Sequence, residues 1–174
     1  MVRWFLGLTA AVAVSLSATA ADKYKLDGDN TKIEFTGTKK DGKHVGGFHK
    51  LTGEVTHEGD WKIDVTIDTN SLYSDDEKLT GHLKAGDFFG VKDHPTATFT
   101  SSKIEKGAKG FTVTGKFTLC GKSKEISFPA EITTGDTFTL KSEFKIDRTD
   151  YGMTYGAGKV DNEVALKVTV SAKK

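Results

Sequence analysis

Five histidines, one cysteine and a scatter of carboxylates are the groups in this 174-residue chain whose chemistry could be put to work. His44, His49, His57, His82 and His94 show neither i, i+4 helical pairing nor a zinc-like spacing with carboxylates. No metal centre is expected from them. Asp27-Gly28-Asp29 opens like a calcium loop, but Thr38 stands where the bidentate glutamate belongs. Gly158-Lys159 ends like a phosphate-binding loop, yet Met153 takes the first glycine position and Val160 the Ser/Thr position. Cys120 admits three roles: a nucleophilic or redox thiol, an inert small hydrophobe at a strand end, or half of an intermolecular disulfide. One cysteine makes no intrachain bridge. No catalytic constellation assembles, so no enzymatic activity is expected.

The remaining candidates are apolar, with a few polar groups beside them. The segment Leu79–Phe99 alone departs from strand-like alternation, and it carries His82, Leu83, Phe88, Phe89 and Pro95. Ser74-x-x-Glu77 reads as a capping box, with Asp75 and Asp76 favouring the helix start. Leu79, Leu83 and His82 then share a helical face, a helix of roughly three turns runs to Gly86, and Asp87–Gly90 follows as an aromatic turn. Phe48, Leu83, Phe88, Phe89, Phe99, Phe117, Leu119, Phe128 and Phe144 either line an apolar pore or fill a core. His82, Arg148 and Tyr151 are candidates for the mouth of such a pore: a guanidinium suits phosphate, and a phenol donates one hydrogen bond. Alternatively, Arg148 pairs with Asp147 or Asp150 on the surface.

These residues need a frame, and the chain ends bound it. Arg3, the apolar run Trp4–Val14 and Ala18-Thr19-Ala20 have the order of a secretory leader with an A-x-A cleavage site. Residues 1–20 are therefore expected to be removed and 21–174 to form one exported, periplasmic domain. The apolar run is too short to span a bilayer. The 25 Lys+Arg and 24 Asp+Glu become balanced once Arg3 leaves with the leader. That neutrality gives no electrostatic footprint for nucleic acid and no polybasic tract for an anionic membrane.

Period-two alternation dominates the domain. Trp61-Ile63-Val65-Ile67, Phe111–Leu119, Ile126–Ile132, Phe138–Ile146 and Val164–Val170 each hide one face, with threonine and charge on the other. Weaker strands fit Lys32–Thr36, Gly47–Thr56 and Thr96–Ile104, with turns at Asp27–Asn30, Asp41-Gly42, Glu58–Asp60, Lys106-Gly107 and Thr134–Asp136. About eight antiparallel strands with one apolar face must form a sandwich or a closed barrel. The polar outer face excludes a membrane barrel. Pro129 inside its strand marks an edge, a bulge or a barrel corner.

Four blocks carry a resemblance. They are Gly47-Phe48 with Leu51-x-Gly53; His82-Leu83-x-x-x-Asp87-Phe88-Phe89 with Pro95-x-Ala97-x-Phe99; Gly115-x-Phe117-Thr118-Leu119-x-Gly121-x-x-Lys124; and Arg148-x-x-Tyr151-Gly152 with Val160-x-x-Glu163-Val164. Over the whole chain from Lys23, this order resembles the YceI-like, polyisoprenoid-binding family of exported bacterial proteins. Cys120 stands at a variable position where the family seldom has cysteine, and Lys124-Glu125 replaces a familiar Lys-Pro. The resemblance implies an all-β, eight-stranded antiparallel lipocalin-like barrel with one short helix-loop beside it. It also implies a bound isoprenoid lipid or quinone, such as a polyprenyl phosphate, with no other cofactor, and in some members a homodimer.

Overall fold

Threonine and β-branched residues in strict alternation leave the backbone little choice but a pleated sheet with one dry face. The computed structural model describes residues 21–174; the expected leader, residues 1–20, lies outside the described residues. The strands are β1 (Asp22–Asp27), β2 (Thr31–Lys39), β3 (Gly42–Phe48), β4 (Leu51–Glu58), β5 (Asp60–Asp68) and β6 (Leu72–Ser74). After α1 (Glu77–Lys84) come β7 (Thr96–Gly107), β8 (Gly110–Leu119), β9 (Lys122–Thr133), β10 (Thr137–Asp147) and β11 (Val160–Lys173). All are antiparallel to their neighbours.

The eleven strands trace eight runs of chain. β1 and β2 are one run bent at Gly28–Asn30; β3 and β4 bend at His49-Lys50; β5 and β6 bend through a 3-10 turn at Thr69–Ser71. Before the bends β2 pairs with β3 and β3 with β6; beyond them β1 pairs with β4 and β4 with β5. β11 then pairs with β2, from Val160 opposite Lys39 to Val170 opposite Thr31, and the sheet meets itself. The eight-stranded expectation therefore holds as runs, while hydrogen-bond continuity divides three of them.

The three bends lie side by side as a crease. His49 N–H donates to Ser71 O at 3.2 Å and Asp68 N–H to Lys50 O at 3.0 Å. A Cβ at Gly28 would collide with the His49 carbonyl, so glycine is required where the first two bends touch. Asp27 Oδ1 accepts from the N–H groups of Asp29 and Asn30 at 3.0 and 3.2 Å, an Asx turn in place of a calcium loop.

One end of the barrel is shut by aromatic rings. Tyr24 and Phe138 are fully buried, with ring centres 5.6 Å apart, and Trp61 lies 5.6 Å from Phe138. At the other end lie the β2–β3 and β8–β9 turns, α1 and the loop 152–159. Two turns form α1, rather than three: it is capped by Asp76, whose carboxylate accepts from Leu79 N–H at 2.7 Å. Ser74, expected as the cap, instead donates from its hydroxyl to Asp76 O at 2.8 Å, bracing the residue that caps. Its helix ends at Lys84, before Gly86.

Candidate functional site

Inside the barrel lies a cavity of about 340 Å³. Its deep wall is aliphatic and aromatic, from Leu26, Val55, Ile63 and Phe138 up through Ile126, Leu140 and Val168. The mouth is built from α1, the aromatic turn and loop residues Met153 and Tyr155.

Phe88 and Phe89, adjacent in sequence, go separate ways. Phe89 turns inward and meets Phe35 and Phe48, with ring centres 6.0 and 5.7 Å away. Phe88 stays at the rim with His82 and Tyr155, at 5.1 and 5.3 Å. The turn between them is held by backbone bonds: Phe89 N–H donates to Leu83 O at 3.0 Å and Gly90 N–H to Ala85 O at 2.9 Å. Gly90 has φ +52°, the left-handed conformation this tight return requires.

The β8–β9 turn is braced against the same segment. Cys120 and Gly121 have φ +49° and +71°, the positive pair of a two-residue hairpin turn. Cys120 Sγ sits 3.6 and 3.5 Å from the carbonyls of Phe88 and Phe89. Burial pushes its thiol up to about 11, against a smaller opposing pull from Lys122. A thiol held protonated against two carbonyls is suited to packing rather than to attack.

Phe48, Leu83, Phe88, Phe89, Phe99, Phe117, Leu119, Phe128 and Phe144 all face the cavity, as does His82. Phe128 and Phe144 stack nearly parallel at 4.3 Å. Tyr151 does not reach it: the ring is buried behind the wall, edge-on to Phe117 at 5.3 Å. Burial and then Asp150 push the Tyr151 hydroxyl up to about 12. Arg148 borders the cavity, but neither Asp147 nor Asp150 is its partner. Its guanidinium donates to three backbone carbonyls, those of Met153, Val160 and Asp161, and so ties down the loop between the last two strands.

Sequence reasoning missed Phe35, Lys39, His44 and Tyr155, which also border the cavity. Phe35 had a signal in Ile33-x-Phe35; Tyr155, in a glycine-rich loop, had none. His44 Nδ1 lies 2.9 Å from Asp75, which also accepts from Val45 N–H at 3.0 Å. Those bonds, Val45 first and His44 second, hold the Asp75 carboxyl below its usual range. His82 Nε2 lies 3.3 Å from Asp87, while His49 stacks on Tyr73 and His57 on Trp61.

A closed antiparallel barrel with an apolar chamber and a helix at its mouth defines a lipocalin-like class of fold. The comparisons give the family. A family model for the YceI-like domain matches residues 24–172, and the chain belongs to that family. A UPF0312 protein of Yersinia enterocolitica is 30% identical over 185 residues, covering 95% of this chain and 94% of its own. Among solved structures, BcnA of Burkholderia cenocepacia superposes with a TM-score of 0.75 at 26% identity, over 82% of this chain and 96% of its own. A polyisoprenoid binding domain from Saccharophagus degradans, implicated in plant cell wall breakdown, shares the fold at a TM-score of 0.69 and 16% identity, over 87% of this chain and 97% of that one.

Proposed function

We propose that this protein is a non-catalytic periplasmic carrier that holds the chain of an amphiphilic, isoprenoid-like lipid inside its barrel. The observation that carries this reading is the chamber: about 340 Å³, apolar along its depth, and bordered at one end by polar groups. Ligand cavities of roughly 300–1,000 Å³ with apolar walls and few polar groups are the usual shape of a small-molecule site. A barrel serving only as a packed scaffold closes on its own side chains instead. The polyisoprenoid binding domain of the same fold supports an isoprenoid chain as the cargo; a polyprenyl phosphate or a quinone-like molecule is the form we propose for it. Each buried methylene contributes about 0.8 kcal/mol, so chain length governs affinity. The leader-like N-terminal sequence supports export, and the exported carrier serves sequestration, transport or stress protection. No helix of the described residues is long and apolar enough to cross a membrane.

The test is solvent extraction of the natively exported protein followed by mass spectrometry. A stoichiometric isoprenoid-like species is expected. A clean blank, together with no uptake of added prenyl lipids, rejects the reading. Val65→Phe, which puts a ring into the chamber wall, is expected to lower occupancy severalfold while costing about 1–3 kcal/mol of stability from overpacking.

A further inference from the structure

At the shut end of the barrel, Phe138 lines the chamber together with Leu26, Val55 and Ile63, and its ring is fully buried. Tyr24 and Trp61 stand behind it and do not reach the chamber. Each has its ring centre 5.6 Å from that of Phe138, and the two lie 6.2 Å apart. Both backing rings are themselves held. The Tyr24 hydroxyl donates to Gly135 O at 2.6 Å, and the Lys174 ammonium, paired with Asp22 at 2.7 Å, lies 5.9 Å from the Tyr24 ring. Trp61 stacks on His57 at 4.3 Å. Interlocked rings tied to a turn and to the last residue of the chain resist the end of an entering lipid.

Above that floor the space is small. A cavity of about 150 Å³ lined by Leu, Ile and Phe holds one benzene, a molecule of six carbons. In the same ratio, a chamber of about 340 Å³ takes about fourteen carbons, close to three prenyl units. A longer chain that enters end-on meets Phe138 and leaves its remaining carbons at the mouth, in water, where they bury nothing. Widening the chamber to admit them means parting hydrogen-bonded strands or unpacking the rings of the floor, and a close-packed interior yields to neither cheaply.

We propose that Phe138, backed by Tyr24 and Trp61, sets the length of chain this protein accepts, and that its cargo carries one short chain of about fourteen carbons instead of a long polyprenyl tail. The proposal deepens the carrier reading and rests on it. Selection of this kind acts by truncating a gain: each carbon that fits adds burial, and each carbon beyond the floor adds none. The headgroup has no part in it, so uncharged alcohols are sufficient probes.

The experiment is displacement of a fluorescent apolar probe from the delipidated mature protein by geraniol, farnesol and geranylgeraniol, of two, three and four prenyl units. Farnesol is expected to bind at least about tenfold tighter than geraniol, and geranylgeraniol less than about threefold tighter than farnesol. Phe138→Ala, which deepens the chamber toward Trp61 and Tyr24, is expected to move the break upward, so that geranylgeraniol gains at least about fivefold over farnesol. Phe138→Leu makes the same test with a smaller step if the alanine variant does not fold. Ile63→Phe, which fills the deep wall, is expected to move the break down, with farnesol gaining little over geraniol. Equal gains at both steps in the native protein overturn the proposal and leave the carrier reading standing. A break at farnesol that none of the variants moves overturns it as well, since the floor then does not set it. Displacement by none of the three alcohols overturns both.

Discussion

Cys120 is the one described residue other than glycine with a positive φ, and it holds that conformation against a cost of roughly 1–2 kcal/mol for an L side chain. What offsets the cost is the contact of its sulfur with the carbonyls of Phe88 and Phe89. Position and chemistry together are expected to slow its reactions. Native protein is expected to alkylate far more slowly than unfolded protein at pH 8, read by mass after iodoacetamide. The raised thiol pKa also gives a stability slope. An unfolded chain loses this proton near 9.0 and the native chain only near about 11, so between those values the unfolded state binds fewer protons. Stability therefore falls as pH climbs through that window and is unaffected by this group below it. Cys120→Ala is expected to flatten that part of the profile, measured by urea midpoints on either side of pH 9. From the sequence this cysteine was legible as a small hydrophobe at a strand end. Its left-handed backbone was not, because nothing in Thr-Leu-Cys-Gly-Lys announces a turn that usually takes Asn or Asp.

Pro129 sets the behaviour of a whole stretch of wall. β9 and β10 pair only from Glu131 opposite Lys141 to Thr133 opposite Thr139, then part company. A residue's N–H and C=O leave a strand on the same side. Pro129 O faces β10, where the Ser142 hydroxyl donates to it, so the donor proline lacks is the one that side needed. Below this point β9 stays with β8 and β10 with β11, and the gap is bridged by side chains, the Phe128–Phe144 stack and the Lys124–Asp150 pair. By the same alternation, the amides of Glu125 and Ser127 point into the gap. They are expected to exchange with solvent much faster than those of Ile126 and Phe128, read by hydrogen-exchange NMR. Ser142→Ala is expected to cost about 1 kcal/mol, since it leaves a carbonyl without its donor. Asp76→Ala, which removes the cap of α1, is expected to cost about the same, read by chemical denaturation. Proline was a readable signal here because its chemistry is local. The crease was legible only at its first bend, where Asp27–Asn30 reads as a turn; nothing at His49 or Thr69 marks the other two in sequence. Three strands divided at one line also explain why counting alternating segments missed β1 and β6.

At the scale of the molecule, alternation alone specified an antiparallel sheet with one face to hide, and a sandwich satisfied that pattern as well as a barrel. The choice is made by β11 lying along β2. Which phenylalanines face the chamber was legible for the same reason that the strands were, since parity assigns a face. The polar border was harder to read, because Lys39, His44 and Tyr155 sit at strand ends and in loops, where parity no longer applies. Sheets built from pairings so distant in sequence fold slowly, typically in milliseconds to seconds. Trp61, the one tryptophan of residues 21–174, lies at the shut end and is expected to report that phase in stopped-flow fluorescence.

The seam between β11 and β2 joins runs far apart in the chain, so the vessel has no inside until those two distant runs have met. Until then the face that lines the chamber is an open, greasy ribbon. A lipid present at that moment can be wrapped rather than admitted. Refolding with farnesyl phosphate in solution is therefore expected to load the protein faster than adding the same lipid to barrels already shut. The comparison, made by native mass spectrometry over time, would reveal whether the mouth or the seam governs how this container is filled.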